Sequence, residues 1–572
     1  MTEQLAEKTG IDPGHVQNIL TLLSEGATIP FIARYRKERT GGATDEQLRA
    51  FQEIYDYSRK LTDRKEEVLR LIEERGHLNA SLRDQIEHAD SLTAVEDLYR
   101  PYKQKRNTRA GVAIAKGLEP LADLLLSARL SSGEFLKRAG EFVGGEVGSA
   151  DEAATGAGDI VAERYSDDPK EREILRKLAW KNGNLRTRKG KEFDPKGVYA
   201  RYVDHSERAS SVPSHRYLAI MRAVKEKQLG IKIDLDLEPV LRGIRQDWIR
   251  PGSGSSAGLL MEALEDGLKR LLFPSIEREI HSELKRRSDE QAIWTFGRNL
   301  AQLLMTPPVI GTRILGVDPA YRSGCKLAAV DEHGTFLEHA VIYPTPPRND
   351  YDGARKTVLD LYRRHKLTGI AIGNGTGCRE TQEFFARINA EDDADLKFTV
   401  VSEAGASVYS ASEVARKEYP NLDVTIRGAI SIAHRLQNPM AALVKIDPQS
   451  LGIGQYQHDV DQTLLKRKLA DTTEDLVNRV GVEVNSASAS LLSHVAGVGP
   501  TLAQRVVEHR EKNGPFHRKI DLKKVRGVGE AAFQQCSGFM RIRDGESVLD
   551  NTGVHPESYA PAQTILDRYD VA

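Results

Sequence analysis

Apolar residues in the first three hundred positions recur three and four apart, the period of a helix with one buried face. Val16, Ile19, Leu20, Leu22 and Leu23 follow Asp12-Pro13, which opens a helix, and Gly26 closes it before a second segment over 29–39. Val68, Leu71 and Ile72 continue the spacing, and so does a stretch over 98–109. The interval 144–158, rich in Gly, Ala and acids, reads as an exposed connection. Residues 275–305 carry the clearest helical pattern. Pro274 precedes them, Glu277 and Glu279 suit the positive end of the helix dipole, and Ile276, Ile280 and Leu284 form one stripe that ends before Pro307-Pro308.

Between 313 and 343 the period changes. Ile314, Leu315 and Val317 form a strand core ending at Asp318, a second run covers 324–330, and a third covers 336–343. Helical spacing over 352–365, a short apolar strand over 369–373, a helix over 379–389, a strand over 398–402 and a last helix over 427–444 follow. Three strands, then helix, strand, helix, strand is the order of an RNase H-like domain, and its apolar parallel strands are of the kind covered on both faces.

Nucleases on that fold hold two divalent ions with three or four carboxylates, because in-line phosphodiester attack needs an activated water and a stabilised leaving oxygen. Here the first strand ends in Asp318 and the last is followed by Glu403. The middle parallel strand runs into Gly373-Asn374-Gly375, and the closing helix offers His434, Arg435 and Asn438. Glu380 lies one helix away. Two carboxylates are fewer oxygen ligands than a two-ion site needs, so Asp318 is expected in a structural or ligand-orienting role.

Composition narrows the classes. At 572 residues, with 40% hydrophobic content, the chain should hold several soluble domains. Its 82 basic and 83 acidic side chains leave a net charge of -1, so any polyanion-binding surface must be local. Cys325, Cys378 and Cys536 are far apart and form no CxxC pair, which argues for reduced thiols in a cytoplasmic protein. No signal peptide or run of about 18 apolar residues is present, which argues against secretion or a membrane partner. Three basic clusters stand out. Arg34, Arg36, Lys37 and Arg39 read as a solvated helix face, with nucleic-acid contact as the alternative. The 98–109 stretch interleaves Tyr99 and Tyr102 with five basic residues and suits stacking on nucleic acid or helix packing equally. Residues 185–191 are the densest basic patch in the first half. The Gly- and Gln-rich 447–458 reads as a linker, and His458 in it as a hydrogen-bonded packing residue.

The strongest mechanistic signal lies near the C-terminus. Residues 492–510 and 522–533 each carry Gly-Val-Gly between helical arms, Gly497-Val498-Gly499 and Gly527-Val528-Gly529. Glycine supplies positive φ and lets backbone amides approach a phosphate at a helix N-terminus. Two such turns in tandem indicate a double helix-hairpin-helix. Arg505, Arg510, Lys512, Arg518, Lys519, Lys523, Lys524 and Arg526 face only Glu508, Glu511 and Asp521 over this interval, a local basic excess. The expected nucleic-acid contacts are Gly497, Gly499, Arg505, Lys512, Lys523, Lys524, Arg526, Gly527 and Gly529. Such contacts go to the sugar-phosphate backbone and carry little sequence preference.

TIPFIARYRKERTGG at 28–42, RILGVDPAYRSGCKLAAVD from 313, RGAISIAHRLQNP at 427–439, GQYQHDV at 454–460 and the two glycine turns resemble, in this order, the bacterial Tex family of transcription accessory proteins. The resemblance implies a helical N-terminal region with a helix-turn-helix-like element, a YqgF domain of RNase H-like fold, the tandem helix-hairpin-helix, and a role in transcription. It also implies a C-terminal OB-fold RNA-binding domain, which is not found before Ala572, and an Asp where Asn438 stands.

The chain is therefore expected to be multidomain and mainly α. A helical region with its long spine helix covers 1–310, an α/β YqgF domain 311–446, a linker and helix 447–485, the tandem helix-hairpin-helix 486–560, and a tail 561–572. The expected function is non-catalytic binding of RNA or DNA, with the transcription machinery as protein partner and no cofactor. The alternative is a nuclease or resolvase using Asp318, Glu403 and divalent metal.

Overall fold

A computed structural model of the chain describes residues 2–103, 107–249, 253–392 and 394–569. The fold is mainly helical, and its contacts divide it into two units, one of residues up to 52 with 292 onward, the other of residues 53–291. The single helical region expected over 1–310 is thereby split. The reason is burial: Phe31 enters the same core as Val477, Leu492, Val506 and Phe533, so the first helices belong with the C-terminal part of the chain.

The unit of residues 53–291 is not wholly helical. Asn184–Lys189 is the middle strand of a three-stranded antiparallel sheet, flanked by Ser206–Arg208 and Leu229–Asp234. Leu185 and Thr187 point inward while Arg186 and Arg188 are exposed, a two-residue alternation that sits inside the basic 185–191 patch. The small residues expected to form a connection instead build the helix Ala150–Asp167, with Ala153 and Ala157 fully buried. Small size is what the packing requires, since a Cβ on Gly156 would stand 2.5 Å from Leu118. Around the buried Arg172, Asp97, Arg176 and Glu279 form a closed set of ion pairs. Tyr99 is buried and Arg100 pairs with Asp167, so this part of the 98–109 stretch is committed to packing. Its residues 104–106 lie outside the described residues.

In the other unit the strands β1 (Ile314–Asp318), β2 (Cys325–Val330), β3 (Phe336–Ile342), β4 (Gly369–Gly373) and β5 (Phe398–Val401) form one sheet in the order β3-β2-β1-β4-β5. β1 is antiparallel to β2 and parallel to β4, and β4 is parallel to β5. Alternation along β1 serves two cores. Leu315 and Val317 pack with Val358 and Leu361 of α1 (Tyr351–Arg364) and Phe385 of α2 (Cys378–Asp392). Ile314 packs with Ile426, Ala429 and Ala433 of α3 (Val424–Gln437) on the opposite face.

Helix α3 lies directly on the sheet at Gly316, where an added Cβ would stand 2.1 Å from the Ala429 carbonyl oxygen. The single closing helix expected over 427–444 breaks at Asn438, because Pro439 has no amide hydrogen to continue it. Asn438 instead caps the next helix, accepting from the Ala441 amide at 3.0 Å. Residues 447–458 are packed rather than a loose linker, with Leu451, Ile453 and Gln457 buried and Gly454 against the Phe296 ring. Gln462–Val480 follows as a helix, and Val482–Glu483 pairs with Met540–Arg541. The expected tail begins inside the helix Tyr559–Arg568.

Because α3 has no room to approach a larger residue, Gly316→Ala should destabilise this domain by about 1–3 kcal/mol. Thermal melting followed by circular dichroism measures it, and an unchanged midpoint would mean that α3 is not seated on the sheet.

Candidate nucleic-acid interface

The tandem hairpins share one core with Val484, Leu492, Val495, Val506, Leu522, Val525, Phe533 and Phe539. The first consists of α4 (Ala489–Leu492), a turn and α5 (Pro500–Asn513). The second has a 3-10 arm, Lys519–Lys524, before its turn and α6 (Glu530–Cys536). The two glycines of each turn do different work. Gly497 and Gly527 have φ of 75° and 99°, and each first glycine is pressed onto the other hairpin. A Cβ on Gly497 would meet the Gln535 Cβ of α6 at 2.5 Å, and one on Gly527 would meet Arg505 of α5 at 2.8 Å. Gly499 and Gly529 are extended, sit at the starts of α5 and α6 with no side chain capping either helix, and have open space where a Cβ would be. Amides at those two starts are free to meet an anion.

The structure redistributes the basic residues counted in this interval. Lys519 is buried, donates to the Thr552 and Val554 carbonyls, and is pushed down to about 8 by burial, with Arg541 adding to the shift. Arg510 is half-buried and donates to the Val484 carbonyl. Arg505 reaches the Arg526 carbonyl at 3.4 Å. Lys523 pairs with Glu530 at 2.7 Å and lies over the Phe533 ring, and Lys524 pairs with Asp521 at 2.9 Å. Arg518 is exposed and lies 3.5 Å from Glu546. Lys512 and Arg526 are exposed. Of the predicted contacts, Lys524, Arg526, Gly527 and Gly529 therefore cluster around the second turn, Gly497 and Gly499 form the first, and Lys512 stands at the far end of α5.

A residue without any local signature ties these turns to the N-terminal helices. Gln535, whose Cβ lies under Gly497, accepts from the Thr28 amide and hydroxyl at 3.0 and 2.9 Å. Tyr35 donates to the Gly553 carbonyl at 3.0 Å, and Arg36 pairs with Glu557 at 3.2 Å. The basic run 34–39 is thus divided: Arg36 is held in this contact, while Arg34 and Lys37 are exposed.

At the sheet, Gly373 and Gly375 make room for Glu403, whose carboxylate oxygens would lie 2.7 and 1.9 Å from a Cβ added at either. Asn374 accepts from the Glu403 amide at 3.0 Å and so orients the loop that carries this acid. Burial, and then the neighbouring Glu403, push Asp318 up to about 6, with Lys326 acting in the opposite direction. Arg435 is 5% exposed, donates to the Ser402 carbonyl, and is pushed down to about 10 by burial against the opposing effect of Glu403. Each carboxylate thus already has a cation near it. Glu380 is bound by Tyr321, and His434 hydrogen-bonds the Gly334 carbonyl at 2.8 Å. Among the described residues no group of three or more metal-ligating side chains occurs. His458, expected to be a hydrogen-bonded packing residue, is exposed.

Asp318 holds its proton more tightly in the folded chain than in the unfolded one. Its contribution to stability is therefore full below about pH 4 and is lost as pH rises through about 6. Asp318→Asn cannot ionise, so the melting stability of the variant minus that of the parent should increase between pH 4 and pH 8, by roughly 2–3 kcal/mol. A difference that stays constant over that range would place Asp318 at an ordinary carboxylate value.

Comparison with known families matches residues 1–73 to the Tex-like protein N-terminal domain, 134–296 to the Tex central region-like family, 312–437 to the Tex protein YqgF-like domain and 477–541 to the helix-hairpin-helix motif. The chain is 44% identical to the uncharacterized protein YdcI of Bacillus subtilis, over 99% of this chain and 79% of that one. It is 42% identical to protein tex of Bordetella pertussis (99% and 73%) and 41% identical to transcriptional accessory protein Tex of Neisseria gonorrhoeae (99% and 75%). The hairpin and YqgF-like domains support a general role in nucleic-acid binding, and the chain belongs to the Tex family.

Proposed function

We propose that this protein is a cytoplasmic transcription accessory factor that binds RNA or DNA through its sugar-phosphate backbone, with weak sequence preference and without cleaving it. The observation that carries this reading is the pair of uncapped helix starts at Gly499 and Gly529, open to a ligand, the second preceded by exposed Lys524 and Arg526. Backbone amides and cations of this kind contact phosphates and leave base edges unread. The Neisseria gonorrhoeae relative, named a transcriptional accessory protein, supports a place beside the transcription machinery. No described helix is long and apolar enough to cross a membrane, and the three cysteines are unpaired.

One observation favours a second reading, a metal-dependent nuclease: Asp318 and Glu403 are close enough for one to raise the titration of the other. Against it stand Lys326 and Arg435, which occupy the surroundings with positive charge where a two-ion site needs further oxygen ligands. The positive charge of Lys326 and Arg435 beside this carboxylate pair weighs against its holding two divalent ions.

Lys524→Glu with Arg526→Glu should weaken binding to labelled RNA and DNA at least tenfold and make the dependence of log K on log salt shallower, by about 0.7–0.9 per lost phosphate contact. Unchanged affinity and slope would overturn the hairpin assignment. With Mg²⁺ or Mn²⁺ and single-stranded, duplex or junction substrates, no cleavage is expected. Cleavage that disappears in Asp318→Asn would establish the nuclease reading instead.

A further inference from the structure

The basic strand of the 53–291 unit has no role in the hairpin reading, and its surroundings identify it as more than a solvated face. Arg186 and Arg188 lie two apart on the outward side of the middle strand. Register places Arg186 directly opposite Lys232 on one side, and Arg208 opposite Asn184 on the other. Like charges opposed across a ladder destabilise a sheet. Asp234 offsets part of this, lying 2.9 Å from Lys232 and 3.5 Å from Arg186. Among the described residues, neither Arg188 nor Arg208 has a carboxylate within ion-pair distance. Gly230, opposite Arg188, leaves the face flat there, since a Cβ would stand 3.1 Å from the Arg188 Nε.

At one end of the same face the sheet meets a cavity of about 550 Å³, lined by Asn182, Asn184, Asp234 and Asp236 with Leu178 and Pro239 among its walls. Asn184 and Asp234 are register partners, each two residues from Arg186 and Lys232, so the cavity and the cations share one side of the sheet. The cavity presents amide donors and acceptors and carboxylate acceptors beside apolar walls. That is the chemistry of a nucleobase edge and ring, not of another phosphate.

We propose that this sheet face is a second binding surface for single-stranded nucleic acid, with phosphates on Arg186, Arg188, Arg208 and Lys232 and an unstacked base in the adjoining cavity. Two residues of strand separate Arg186 from Arg188 by about 6.6 Å, a distance that suits successive phosphates of an extended strand. A planar guanidinium meets each phosphate with two parallel hydrogen bonds. A duplex keeps its base edges paired, so the cavity selects the single strand. The proposal rests on the reading of the protein as a nucleic-acid binder, and extends it to a site far in sequence from the hairpins.

Fluorescence anisotropy with the full chain and a mixed-sequence single-stranded oligonucleotide, as RNA and as DNA, tests it. Four proteins are compared at several salt concentrations: the parent, Arg186→Glu with Arg188→Glu, the milder Arg186→Gln with Arg188→Gln, and Lys524→Glu with Arg526→Glu. Melting curves check that each is folded. The sheet variants are expected to bind at least tenfold more weakly, with a salt slope shallower by about 1.4 for two lost single-strand contacts. A strand carrying 4-thiouridine should cross-link to peptides within 182–208 or 229–239 of the parent. If the sheet variants bind like the parent and no such cross-link forms, while the hairpin variant is weakened, the sheet proposal fails and the hairpin reading stands. If only the sheet variants are weakened, the hairpin reading fails and the sheet proposal stands. Parental binding by all variants overturns both.

Discussion

The C-terminal surface depends on one constraint, the reciprocal packing of two glycine turns. Gly497 can lie on the Cβ of Gln535 only because it has none of its own, and Gly527 adopts a positive φ beneath the Arg505 guanidinium. Each hairpin thereby fixes the other, and the second glycines, Gly499 and Gly529, are left facing outward at helix starts. A side chain at 497 would press on the Cβ of Gln535 and push the hairpins apart, whereas one at 527 would displace the Arg505 guanidinium and strain a backbone held at φ 99°. Preorganised amides of this kind bind without the ordering cost that a flexible loop incurs.

The YqgF-like domain brings two carboxylates together at one end of its sheet and sets positive charge beside them. Two glycines of the β4 loop accommodate Glu403, and Asp318 ends β1. Their surroundings are positive, with Lys326 bonded to the Gly324 carbonyl at 2.8 Å beside one acid and Arg435 beside the other. Burying a carboxylate beside another is unfavourable, and a nearby cation relieves part of that cost without a metal.

The sheet was legible because the period of the chain changes at Ile314 and because β4 and all but the last residue of β1 are uninterrupted runs without a polar side chain. The hairpins were legible because Gly-Val-Gly occurs twice at one spacing. What stayed hidden was hidden for physical reasons. The small residues after Ser149 look like a connection by composition, yet their size is what lets a buried helix pack closely. In 185–191, charge obscured a two-residue alternation. The candidate site was half legible: glycine identities were visible, but burial of Lys519 and the commitment of Lys523 and Lys524 to Glu530 and Asp521 depend on neighbours that pattern alone does not place. Gln535 carried no local signal, since its importance comes from Thr28, 507 positions earlier.

That long separation has a consequence for how the chain is made. Phe31 and Ile32 are buried in the finished protein, but the partners that cover Phe31, among them Val477, Leu492 and Phe539, are translated near the other end. At about 5–20 residues per second a ribosome takes roughly half a minute to two minutes to reach them. Throughout that interval the nascent N-terminus presents apolar surface with nowhere native to bury it. Docking of the segment around Phe31 is therefore a late step of folding, set by the route the chain takes.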